Sequence, residues 1–305
     1  HPSAAGPSAG FGGDSSACSG RGGGTEEARR STTKRLQKVP KARGEKKGAQ
    51  ESQRLRMGQK KQMKAATPYL HLHQRKRTWT PVEVSAGTLL NGGEDVIKRA
   101  LALRCLEIPV GDFISEAMKG DLPDIKGCKE LLVSNVEDEI KHDIALDFAA
   151  KAHGVSPRFE AEAQKIKQAW LELDRHPVLK AVVLERSVFF VLLPIFRFLG
   201  DTGLRTTSAD ISRDEQTHVA ANTLVCEELG LKSDKALNNL RRATVAWVLQ
   251  SLKGESDNRH LSSNFWLQSS DSLYTRGKAE NLLSTRSSRM PAFFETNNVN
   301  LPQYA

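Results

Sequence analysis

At 305 residues and 38% hydrophobic content the chain can bury a large core in one or two domains. Its formal charge of +9 is unevenly placed: residues 1–77 hold 18 Lys and Arg against 5 Asp and Glu, and the remainder holds 27 against 31. A basic excess outside the core-forming part excludes the usual argument from net charge to a nucleic-acid-binding domain, and the longest apolar run, 188–196 with Pro194 inside it, is too short for a transmembrane helix.

In chain order, residues 1–65 are Gly/Ser-rich and then Lys/Arg-rich, with few large apolar side chains. Such a segment cannot offset the entropy of ordering, and disorder is expected. It reads as an extension ahead of an internal start at Met57 or Met63, as a basic arm for nucleic acid, or as a transit peptide. From Glu94 onward, apolar residues recur at three- and four-residue spacing, with breaks at 120–123, 154–157, 174–177, 200–203 and 230–233. The punctuation predicts helices over about 94–119, 126–153, 158–173, 178–199, 207–229 and 233–253, with another inside 258–286 and no strands. The folded part is placed at 66–289, followed by a flexible tail, 290–305, offering Phe293, Phe294 and Tyr304 to a partner. Cys18, Cys105, Cys128 and Cys226 are scattered without a Cys-x-x-Cys pair, which fits a reducing, cytoplasmic compartment without disulfides.

Two short sequences carry chemistry: Glu139-Ile-Lys-His142 and Glu215-Gln-Thr-His218. Residues three apart on a helix share a face. In one helix the stripe Leu132, Val136, Glu139, His142, Leu146, Ala149 puts Glu and His on the apolar side, and Ile211, Glu215, His218, Asn222, Val225 repeats it in the other. A carboxylate facing a core needs a cation or a hydrogen-bond partner. Glu107 and Glu185 lie midway along the helices preceding each motif, giving the order Glu, Glu-x-x-His, Glu, Glu-x-x-His. That is the ligand set of a dimetal carboxylate site in a ferritin-like bundle. Glu116, in the same helix, competes with Glu107 for the first position, and Pro109 disturbs the helical phase beside it. His71, His73, His153, His176 and His260 read as helix-end or exposed residues.

The segment Ile211-Ser-Arg-Asp214-Glu215-Gln-Thr-His218 resembles the Ile-x-Arg-Asp-Glu-x-x-His segment of the small subunit of class I ribonucleotide reductase. Trp79-Thr-Pro-Val-Glu83-Val84 is similar to the Trp-x-x-x-Glu-Ile/Val segment that leads into that family's first ligand helix. The resemblance spans about residues 70–255. It implies an oxygen-activating dimetal centre (Fe/Fe, Mn/Fe or Mn/Mn) that supplies the oxidising equivalent for deoxyribonucleotide synthesis. It further implies a relay through Trp79, Asp214 and His142, an apolar lining from Phe189 and Ile211, and a homodimer. The large catalytic subunit would bind the tail, with Tyr304 as the relay tyrosine there.

Two departures qualify the match. The position one turn beyond the first motif's His, where the family carries its radical tyrosine, is Leu146, and no tyrosine lies between Tyr69 and Tyr274. Glu107 as first ligand with no tyrosine is similar to the subgroups that store the oxidant on the metals. The separation of 46 residues between Glu139 and Glu185 is also short for the family. A stand-alone ferritin-like oxidase and a bundle that holds metal without turnover remain open as alternatives.

Overall fold

The computed structural model describes residues 67–120 and 122–276. Among these there is no strand, only an isolated bridge between Lys253 and Ser262. The helices are α1 Pro68–Gln74, α2 Glu94–Ala102, α3 Glu107–Ala117, α4 Cys128–His153, α5 Pro157–Glu172, α6 Pro177–Leu184, α7 Phe190–Leu199, α8 Thr202–Glu228, α9 Lys235–Leu249 and α10 Ser263–Arg276. A 3-10 turn, Leu103–Leu106, joins α2 to α3, and a π-turn, Glu185–Phe189, joins α6 to α7.

The architecture is an all-α, ferritin-like four-helix bundle with additional helices. Its four columns are α2–α3, α4, α6–α7 and α8. Around the ring α3 packs on α4, α4 on α8, α8 on α6 and α7, and α6 back on α3. The core between them is dense with apolar residues, among them Leu106, Val110, Leu132, Val183, Phe189 and Ile211, all within a few per cent of complete burial. No helix among the described residues is long and apolar enough to cross a membrane. Cys105, Cys128 and Cys226 are free thiols.

Local chemistry sets the helix ends. Thr67, Ser156, Asp201 and Asp234 each accept a hydrogen bond from a first-turn amide of α1, α5, α8 and α9. Gly127 opens α4 at φ +87, and a Cβ there would lie 2.7 Å from a Leu70 methyl, so a glycine lets α1 close against the start of α4.

The structure corrects several sequence expectations. Helix 94–119 is interrupted: Pro109 has no N–H to give the Cys105 carbonyl and crowds it, and the turn just before Glu107 tightens to 3-10. Helix 178–199 widens to a π-turn, in which the Phe190 amide bonds back five residues to the Glu185 carbonyl. Pro194 lies four residues further on, where it cannot supply the N–H for a regular turn on Phe190. The second motif helix starts at Thr202, five residues earlier than predicted, because Asp201 caps it. Helix α1 was not anticipated; Thr67-Pro68, a cap followed by proline, was its signal. The predicted head at 1–65 and tail at 290–305 lie outside the described residues.

Candidate metal centre

Each column delivers its acidic residue to one level of the bundle. Glu107 is the first residue of α3 after the 3-10 turn, and Glu185 is the first of the π-turn. Glu139 and His142 come from the middle of α4, and Glu215 and His218 from the middle of α8. All six are 3% exposed or less. Gly111 of α3 faces Glu139, with room for no more than ordinary contact at 3.5 Å, so α3 and α4 approach closely here. Glu116 is exposed and takes no part.

Glu139, His142, Glu215 and His218 form a buried group that can hold a metal ion, with one ligand atom from each lying within 4.8 Å of all the others. The two remaining carboxylates flank it on opposite sides. His142 Nδ1 lies 3.4 Å from Glu139 Oε2, 3.3 Å from Glu215 Oε1 and 3.7 Å from Glu107 Oε2. His218 Nδ1 lies 2.8 Å from Glu139 Oε1, 3.8 Å from Glu215 Oε2 and 3.9 Å from Glu185 Oε1. Glu139 and Glu215 thus present one oxygen to each histidine, whereas Glu107 belongs to the His142 half and Glu185 to the His218 half.

The outer nitrogens of the imidazoles are engaged elsewhere. His142 Nε2 is 3.2 Å from Asp214 Oδ2, and His218 Nε2 is 3.1 Å from Asp138 Oδ2. A carboxylate on Nε2 keeps the proton there and leaves the Nδ1 lone pair pointing inward, the tautomer a metal requires. Each aspartate immediately precedes the glutamate of one motif and serves the histidine of the other. Asp138 was missed at the sequence level; its signal was the recurrence of Asp-Glu before both x-x-His triplets.

The fit to metal is tested by what the inner atoms lack. Glu107 Oε2, Glu139 Oε2, both oxygens of Glu215 and the Nδ1 atoms of His142 and His218 are buried without a hydrogen-bond partner. Buried polar atoms are rarely left this way, and here they converge on one volume. Burial pushes the carboxyls of Glu107, Glu185 and Glu215 up, and neighbouring carboxylates add to the rise. Glu139 is held down to about 2, because His218 and His142 outweigh its burial. The surrounding carboxylates likewise outweigh burial at both imidazoles, raising His142 well above its usual range and His218 to about 10. Without cations the cluster is held together by protons, which divalent ions would replace. The donor set of carboxylate and imidazole suits iron, manganese or zinc.

Trp79 is half-buried beside the cluster. Its Nε1 donates to Asp214 Oδ2 at 2.6 Å, the oxygen that also faces His142. The indole lies nearly parallel to the His142 ring, 18° apart with centroids at 6.2 Å. On the other arm, Asp138 is gripped by two ammonium groups, Lys76 Nζ and Lys141 Nζ, the latter at 2.5 Å. Leu146, Phe189 and Ile211 are buried core residues, and Tyr304 lies outside the described residues.

Three of the histidines read as peripheral, His153, His176 and His260, are not exposed. The His153 side chain is buried, with Nε2 3.1 Å from Asp201, and His260 stacks on Phe198 at 4.3 Å. His71 and His73 are exposed in the last turn of α1. His176 stands ahead of α6 with Nδ1 buried and unpartnered.

No protein-family model, no curated protein and no solved structure matches this chain.

Proposed function

We propose that this chain is the small subunit of a class I ribonucleotide reductase, holding two metal ions and generating an oxidising equivalent for a separate catalytic subunit. The observation that carries the reading is the hydrogen-bonded series Trp79, Asp214, His142, which leads from a half-buried indole to the carboxylate cluster. A storage site has no use for such a series.

Glu107, Glu139, His142, Glu185, Glu215 and His218 would hold the two ions. Four glutamate carboxylates balance the charge of two divalent ions. With oxygen, such a pair of reduced metals supplies a strong one-electron oxidant. The protein's part is positional. Core residues around the six ligands exclude bulk water. Asp214 holds the Nε2 proton of His142 and orients its ring. The same carboxylate accepts the Trp79 indole proton as a hydrogen bond, which eases loss of an electron from the ring by stabilising the positive charge left behind. Partner binding is assigned to 290–305, with Tyr304 as the onward relay.

A stand-alone oxidase acting on a small apolar molecule is the second reading, favoured by the separation of only 46 residues between Glu139 and Glu185. One experiment separates these. The chain is loaded with iron and manganese without oxygen, and metal content and electron paramagnetic resonance are followed before and after oxygen is admitted. Two metals per chain and an oxygen-dependent signal are expected. In Trp79→Phe and Asp214→Asn the signal should still form and then decay at least ten-fold more slowly in the presence of reductant. Equal decay rates would remove the relay and leave the oxidase reading. Two metals without response to oxygen would indicate storage, and no bound metal would refute the dimetal assignment.

A further inference from the structure

The two halves of the cluster are alike in their ligands and unlike in everything around them. On the His142 side, Asp214 accepts from a neutral indole, and no lysine or arginine reaches it at ion-pair distance among the described residues. On the His218 side, Asp138 is bound by two cations. Lys76, just past the end of α1, reaches across to Asp138 and also donates to Asn135 Oδ1 at 3.0 Å. Lys141, one turn along α4, takes the other oxygen of Asp138. The flanking glutamates differ in the same direction. Asn222 Nδ2 donates to both oxygens of Glu185, at 2.8 and 3.1 Å, while Glu107 Oε2 has no hydrogen-bond partner.

Each difference weakens the same half. A carboxylate already neutralised by two ammonium groups pulls less on the Nε2 proton of His218, so Nδ1 is the poorer electron-pair donor. Two fixed positive charges beside that half also oppose a divalent ion directly. Glu185 must share its lone pairs with an amide before it can serve a metal. On the His142 side Lys141 Nζ stands 5.9 Å from the Trp79 ring centroid, but among the described residues no ammonium group pairs with Asp214 and no amide occupies Glu107 Oε2.

We infer that Lys76 and Lys141 make the two metal positions unequal, so that the first ion enters the His142 half tightly and the second enters the His218 half more weakly. This rests on the dimetal reading above and extends it. The inequality gives each ion its own place: a metal scarce or weakly bound in solution can be confined to one half, next to the Trp79 arm or away from it. Lys76 and Lys141 act here as positioning residues that tune His218 through Asp138.

The test is a titration of the metal-free full chain with Mn2+ under nitrogen, followed by calorimetry and by the loss of the free-ion resonance signal. Two steps are expected, the first tighter by ten-fold or more. His218→Gln should remove the weaker step and keep the tight one. Lys76→Met combined with Lys141→Met should tighten the second step by at least five-fold, leave the first within two-fold and so narrow the gap. Lys76→Arg with Lys141→Arg keeps the charges and should restore it. Far-ultraviolet circular dichroism checks that each variant keeps its helix content. Two ions binding in one step, a gap unchanged in the methionine variant, or loss of the tight step in His218→Gln would each overturn the inference while leaving two metals in place. Native protein that takes up one ion or none would bring down the dimetal reading with it.

Discussion

His260 shows how much one side chain's surroundings matter. Its imidazole is packed against Phe198 and near Phe265 and Trp266, and burial, with help from the adjacent Arg259, lowers it to about 4. The unfolded chain takes up a proton near pH 6.5, so it binds protons more readily than the fold between about 6.5 and 4. The stability that neutral His260 contributes is complete above that window and is lost as pH falls through it. In urea unfolding, the native chain should therefore lose stability over that range faster than His260→Phe, and parallel pH profiles would contradict this. At the metal cluster the expectation runs the other way. Glu215→Gln removes one of several buried carboxylates that repel each other, so the metal-free variant should be more stable than native by about 1–2 kcal/mol. It should also lose the stabilisation that added metal confers, and thermal melts with and without Mn2+ measure both effects.

At the scale of elements, Asp201 ties three segments together. It caps α8 through the Leu204 amide at 2.9 Å, accepts from the Gly87 amide at 2.5 Å and faces His153 at the end of α4. Asp201→Ala should cost about 2–4 kcal/mol in chemical denaturation, about 1 of it from the cap and the rest from buried partners left unpaired. Asp201→Asn, which keeps an acceptor oxygen, should cost less than half as much. The irregular turns matter in a different way. Glu107 follows a 3-10 turn and Glu185 opens a π-turn, so both single-glutamate columns change their helical phase at the ligand. Pro109 and Pro194 are visible in the sequence as disturbances, but the direction of the resulting rotation depends on what each column packs against.

For the whole molecule, metal and fold are coupled. A ligand that binds only the folded chain stabilises it by about 2.7 kcal/mol at one hundred times its dissociation constant, so two ions should raise the melting midpoint markedly and a chelator should reverse it. Because His218 is raised to about 10 and Glu107 and Glu185 also hold their protons more tightly than usual, metal uptake must displace protons. Apparent affinity should therefore rise with pH across the neutral range, and calorimetry in buffers of different ionisation enthalpy should show proton release. Uptake independent of buffer and pH would mean that the ions bind elsewhere.

The sequence by itself determined the all-α class and pointed to the two Glu-x-x-His pairs whose four residues form the buried group, because periodicity and that spacing are local and survive without knowledge of neighbours. It also pointed to Trp79 and Asp214 through their resemblance to a known segment, although 135 residues separate them. Only the tertiary structure decided the rest. Asp138 serves a histidine 80 residues away, and Lys76 reaches it from outside the bundle ring. Neither pairing leaves a periodic trace, because a crossed hydrogen bond depends on how two helices are set against each other. His153 and His260 were misplaced for the same reason: a residue near a helix end is exposed or buried according to what another segment lays over it.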